Sequence, residues 1–418
     1  MLSHIKAYGH STFSSLKVRN YRLYFIGLGI SACGTWMQRI AQSWLVLQMT
    51  GSGTAVGLVV AFQYLPVLIL GPFGGVIVDR FPKRKVLYLT QLISGFLALI
   101  LGIAVVTNTA ELWMVYALAS MLGVIEAIDS PTRQTFIHEM VGSDRIKNAV
   151  TLNSIEVNVA KVIGPAIAGI VISSIGIGSC FLINAGSFLF VLFSLSLMRE
   201  SELHSFDVIT EMKGQFSKGM QYLKTNHLVR NILIIMAIVG TLSYEFQVSL
   251  PLLAKFTFNG DAKAYTLLMS AMGVGSVVGG LVTAGKKVAE PTKLAWSAIL
   301  FGIAILFVSF SPNMIFAVIF MIIIGFFSIS FTALGNSTIQ LNTDPVMRGR
   351  VMALWTVAFL GTTPIGGPIV GWVGEHIDPR GSLIVGGVAA LLAGVFGMVT
   401  LKRHTFDEDR AKLAVTSA

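Results

Sequence analysis

Glu126, Asp129 and Arg133 stand at i, i+3 and i+7, a spacing that sets two acids and a base along one face of a helix. Glu156 and Lys161, Arg39, and Glu245 are further charges embedded in apolar sequence. A short stretch, Gly75 to Lys85, packs Asp79 among Arg80, Lys83, Arg84 and Lys85. Charges in apolar surroundings must be paired, hydrated or put to use, so proton carriage and ion-pair switching are the chemistry open to them. Covalent chemistry has no support. The seven histidines are scattered without zinc-type spacing, and no nucleophile–His–acid set stands out. No G-x-x-x-x-G-K-[ST] loop occurs, so ATP drive is not expected. No metal or cofactor is expected, and the chain does not read as an enzyme.

The elements that must position these charges are membrane helices. Of 418 residues, 54% are hydrophobic and 12% charged, about half the charged share of a soluble domain. Apolar runs of about 20 residues recur at 23–47, 55–78, 86–106, 112–132, 149–173 and 179–198. They resume at 230–252, 264–285, 293–311, 313–334, 350–374 and 382–401. The expected fold is therefore all-α, twelve transmembrane helices in two six-helix bundles. The expected domains are residues 1–198, a cytoplasmic linker 199–229, residues 230–401 and a cytoplasmic tail 402–418. Within the linker, Met212–Leu223 has the spacing of a surface-lying amphipathic helix. The start of the chain lacks the apolar core and cleavage site of a signal peptide, so none is expected.

Basic residues orient the spans. Of the 30 Lys and Arg, 25 fall in the termini and alternate loops of one side and three in the loops of the other, while Arg39 and Lys161 lie within spans. The rich side is cytoplasmic, which puts both termini inside. The same bias accounts for the net charge of +10 and removes nucleic acid as a partner. Cys33 and Cys180 read as inert buried thiols. The halves also repeat. At an offset of 203, Gly164-Pro165 falls on Gly367-Pro368, Arg145 on Arg348, Lys147 on Arg350 and Lys83-Arg84 on Lys286-Lys287. Internal duplication of this kind marks a transporter.

Gly75-x-x-x-Asp79-Arg80-x-x-Lys83-Arg84-Lys85 resembles the signature loop of the major facilitator superfamily, and Gly164-Pro165 with Gly169 resembles its antiporter motif. Pro131-Thr132-Arg133 and Val162-Ile163-Gly164-Pro165 are similar to the branch holding the enterobactin exporter and related bacterial drug exporters. Pro82 departs from the usual Gly and Lys83 from the frequent Arg, which keeps charge but loses the bidentate fork. Ala160 and Ala168 replace glycines of the antiporter motif. In the second half Val282 stands where the first has Asp79.

The resemblance implies a secondary active carrier of the inner membrane. It would be a monomer exporting a small organic molecule, a lipophilic drug or siderophore, against protons by alternating access. A proton symporter for uptake and a non-transporting receptor on a carrier fold are the alternatives. Gly75, Asp79, Arg80, Lys83, Asp129 and Arg350 are expected to form an inner-gate charge cluster. Arg39 and Glu245, each about 6–7 Å to the outer side of its span's midpoint, are expected to pair at the outer gate. Glu126 and then Glu245 are the proton-carrying candidates. Lys161 either neutralises an acid of the fourth span or attracts an anionic substrate, and Trp36, Lys161 and Phe246 are candidates for the cavity wall. Gly164-Pro165 permits a bend and close helix packing.

Overall fold

The computed structural model describes the backbone of residues 13–204, 215–284, 290–359 and 361–416; the side chains of 72–79, 215–216, 284 and 402–416 lie outside the described residues. Gly75 and Asp79 therefore enter only as backbone, and Lys286-Lys287 and the linker residues 205–214 fall outside altogether. Everything described is helix or short connection, as an apolar chain in lipid requires, because a helix satisfies its backbone donors and acceptors within itself.

Two compact units form, one from Met1–Met49 and Phe62–Ile209, the other from Thr50–Ala61 and Thr210–Ala418. In the first lie α1 (Arg19–Thr50), most of α2 (Gly53–Arg80), α3 (Lys83–Val106), α4 (Leu112–Ile175) and α5 (Gly178–Ser196). The 64 residues of α4 are two crossings joined at Gly142, where φ is +70°. A side chain at that φ would be strained, and glycine takes the turn without cost. α3 packs against both α4 and α5. Tyr21, Tyr24 and Phe136 are buried where α1 meets α4, and the Tyr21 hydroxyl donates to the Ala149 carbonyl at 2.9 Å.

The second unit contains α6 (Gln215–Thr225), α7 (His227–Leu242), α8 (Phe246–Leu252), α9 (Ala262–Ala284), α10 (Pro291–Ser309), α11 (Met314–Leu341), α12 (Arg348–Phe359), α13 (Thr363–His376) and α14 (Pro379–Thr416). Asn226 caps α7 by accepting from the Val229 N–H at 3.0 Å, and Asn313 caps α11 through Phe316 at 3.2 Å. The first turns of α2 also group here. Glu375 of α13 accepts from the Thr54 N–H at 2.8 Å and the Ser52 hydroxyl at 2.6 Å, so a carboxylate caps the α2 N-terminus. α6 realises the amphipathic linker helix from Gln215 onward, with Gly219 beside Leu354 and Arg350.

Ten stretches among the described residues are long and apolar enough to cross a membrane, and the longest of them, α4, holds two crossings. α1 is long enough at 32 residues but is not among the ten. Its Gln38, Arg39 and Gln42 line a cavity inside the first unit. Two spans that read as continuous are broken. The 230–252 span divides into α7 and α8 around Tyr244, and the 350–374 span into α12 and α13 before Pro364. Proline lacks the donor that would continue a helix, which accounts for the second break.

Candidate functional site

The first half of α4 carries Glu126, Asp129 and Arg133 on one face. Arg133 Nε lies 2.5 Å from Asp129 Oδ2, and its Nη2 lies 3.7 Å from Glu126 Oε1. The other Asp129 oxygen accepts from the Thr90 hydroxyl at 2.5 Å and from Gln91 Nε2 at 2.9 Å, both on α3. The Asp129 side chain is 3% exposed, so this carboxylate is buried with its charge fully answered.

Lys83 takes a different acid. Its Nζ lies 3.2 Å from Glu139, further along α4. The register explains why. Thr90 and Gln91 meet Asp129, so Lys83, about 10 Å earlier on α3, reaches a residue well past Asp129 on the antiparallel neighbour. Arg84 donates to the Leu195 carbonyl at 2.8 Å and pairs with Glu200 at 2.6 Å. Arg80 is exposed at the end of α2. Arg350, in the second unit, points Nη1 at Met347 Sδ at 3.0 Å.

A cavity of about 200 Å³ opens in the first unit, walled by α1, α2, α3 and α4 and by Asn184 and Phe188 of α5. Trp36, Arg39, Tyr64, Glu126 and Arg133 line it. The Arg39 guanidinium carbon sits 5.0 Å from the Trp36 ring centre and 6.0 Å from that of Tyr64, and its buried Nε has no hydrogen-bond partner. Lys161 Nζ lies 5.4 Å from the same Trp36 ring. Gly164 explains the approach. A Cβ there would fall 2.5 Å from Trp36 Cβ and 2.9 Å from the Cys33 carbonyl oxygen, so only glycine lets the second half of α4 lie against α1. Pro165 and Gly169 follow it, both buried.

Glu156 is a charge in apolar sequence that no motif singles out. In the structure it is buried, and neither of its oxygens has a hydrogen-bond partner. A Cβ added at Gly29 of α1 would meet Glu156 Oε1 at 3.4 Å. Its position within an apolar run was the one signal that could have singled it out.

In the second unit Glu245 opens α8, 4% exposed. It accepts from the Thr363 hydroxyl and lies beside Gly366 and Gly367, while its Oε1 lacks a partner. Phe246 is not on the first-unit cavity. It is buried edge-on against Tyr244 and Phe301, with centroids 6.3 and 6.2 Å away. Arg39 and Glu245 fall in different units, each with the surroundings just given. Among the described residues no three of His, Cys, Asp and Glu gather as a metal site requires.

The profile of the transmembrane secretion effector family matches residues 10–416. The staphyloferrin A transporter of Staphylococcus aureus (strain NCTC 8325 / PS 47) is 26% identical over 330 residues, 77% of this chain and 81% of its own. The enterobactin exporter EntS of Shigella boydii serotype 18 (strain CDC 3083-94 / BS512) is 25% identical over 91% of both chains. The multidrug efflux pump Tap of Mycolicibacterium fortuitum is 23% identical over 90% of this chain and 94% of its own. Among solved structures, the nucleoside transporter NupG aligns with a TM-score of 0.73 at 14% identity, covering 93% of this chain and 99% of that one. A bacterial homologue of the lysosomal transporter Spinster aligns at 0.71 and 15%, covering 92% and 97%.

Proposed function

The chain belongs to the transmembrane secretion effector family of the major facilitator transporters, and from that premise we propose that it exports a small organic molecule, a siderophore or a lipophilic drug, in exchange for protons. It is a multi-pass membrane transporter, not an enzyme. The finer reading adds the inner membrane, cytoplasmic termini and a monomeric carrier working by alternating access.

One observation carries the proposal. The first-unit cavity sets aromatic wall, Trp36 and Tyr64, next to an acid, Glu126, whose only ion-pair partner among the described residues is Arg133 at 3.7 Å. An organic ring and a proton can thus occupy neighbouring places. Asp129 already takes Arg133 at 2.5 Å, so Glu126 is the more loosely paired of the two acids. Glu156, buried without a donor, and Glu245 are the other carriers in this reading. A charge in such a place must be paired, hydrated or removed by a proton.

The test is a deletion strain. It is expected to become more sensitive to a lipophilic drug or to retain more siderophore, and wild-type protein should reverse this. Glu126→Gln and Glu156→Gln should each cut proton-driven efflux at least tenfold in proteoliposomes while substrate binding persists. Reduced accumulation of a solute in the deletion strain would instead assign uptake.

The gates argued from sequence belong to the same proposal, with Asp79, Lys83, Asp129 and Arg350 within and Arg39 with Glu245 without. Loss of transport in both Arg39→Gln and Glu245→Gln is expected. Transport and pH dependence that survive both changes end the outer pairing.

A further inference from the structure

Two basic side chains of the first unit, Arg39 on the cavity wall and Lys161 beside it, have no ion-pair partner among the described residues. Arg133 is taken by Asp129 and Glu126. Among the described residues of this unit, no carboxylate lies within ion-pair distance of Arg39 or Lys161. Glu156 shares α4 with Lys161 but stands five residues away, off its face, and is unpartnered itself. Arg39 and Lys161 nevertheless converge, at 5.0 and 5.4 Å, on the single ring of Trp36.

Two like charges held together in a membrane interior are unfavourable unless something negative joins them. The Trp36 ring attracts both, yet a ring face compensates a cation far less than an anion does. Arg39 has its buried Nε free, and guanidinium is built to take a carboxylate through two parallel hydrogen bonds. Trp36 supplies a flat apolar wall beside it. Lys161, which lies against Trp36 rather than on the cavity wall, adds field without occupying the space.

We propose that this cavity binds an organic anion, its acid group on Arg39 with Lys161 reinforcing the charge and its ring or apolar body against Trp36. This deepens the export reading by naming the class of substrate, and it rests on that reading only for the direction of movement. Lys161 on these terms attracts the substrate's charge rather than neutralising an acid of α4.

The probes are benzoate and its neutral counterpart benzamide, added at constant ionic strength to the purified full-length chain in detergent, with thermal unfolding followed by circular dichroism. Benzoate is expected to raise the unfolding midpoint and benzamide to leave it unchanged. Arg39→Gln and Lys161→Gln should each weaken the benzoate effect at least tenfold in concentration, while Lys293→Gln, a charge outside the cavity, should not. Without ligand, Lys161→Gln should melt above the parent protein because a cation without a carboxylate partner is gone from the interior. If that variant fails to fold, Lys161→Arg keeps the charge and should keep the benzoate response. Equal stabilisation by benzamide, or an undiminished benzoate effect in the Gln variants, overturns the proposal. A protein that binds benzoate in this way but drives no efflux would sink the export reading alone. One that exports only neutral or cationic compounds would sink this inference alone.

Discussion

Replacing Arg133 by Met is expected to destabilise the protein by about 3–5 kcal/mol, the usual loss when one partner of a buried ion pair is removed. Asp129 would keep Thr90 and Gln91 as donors but lose its counter-charge at 2.5 Å, in a place where its side chain is 3% exposed. Asp129→Asn should cost less, because the amide is uncharged and its oxygen can still accept from α3. The double variant should recover most of the Arg133→Met loss, since neither charge is then left alone. Unfolding of the three variants in mixed detergent, read against the parent, gives the cycle. A double variant no more stable than Arg133→Met would mean that Arg133 acts through packing instead of charge.

Gly164→Ala is expected to harm transport more than fold. The added methyl would meet Trp36 Cβ at 2.5 Å and the Cys33 carbonyl oxygen at 2.9 Å. The second half of α4 must then retreat from α1, and overpacking of this kind costs about 1–3 kcal/mol. Because the displaced residue is a wall of the cavity, that energy should be felt in binding as roughly a 10–100-fold loss of affinity. Gly349→Ala, with open space around it, is the matched control and should be silent. Substrate affinity and thermal stability measured on both variants check the claim. An unaltered affinity in Gly164→Ala would detach the antiporter-like motif from the cavity.

The helices were legible because lipid leaves a chain little choice. Apolar runs and loop charges follow from the bilayer and not from packing detail, and the duplication of the halves shows as matches at one offset. Asp129 with Arg133 was legible for a similar reason, as both lie on one helix four residues apart. Lys83 with Glu139 was not, because which α3 residue meets which α4 residue depends on how the two helices slide. Thr90 and Gln91 carry no spacing that ties them to Asp129. The break between α7 and α8 was hidden by an otherwise apolar run, although Ser243 and Glu245 stood inside it. Ser243 donates to the Gly386 carbonyl at 2.6 Å, and Glu245 takes Thr363. Glu156 was not legible, because its burial without a hydrogen-bond partner is a property of the fold. The side chain of Asp79 lies outside the described residues, so the loop that carries the family resemblance says less about the site than the cavity does.

Trp36 gives the protein an optical reporter of its own. Indole emission responds to nearby charge and to hydration, and this ring touches two cations and the wall of the cavity. The chain has six tryptophans; of the other five, Trp44 is buried at 4% exposure while Trp113, Trp296 and Trp372 are at least about half exposed. With those five replaced by Phe, the fluorescence of a single residue would follow filling and emptying of the cavity in real time, without a label and without any need to know the substrate beforehand.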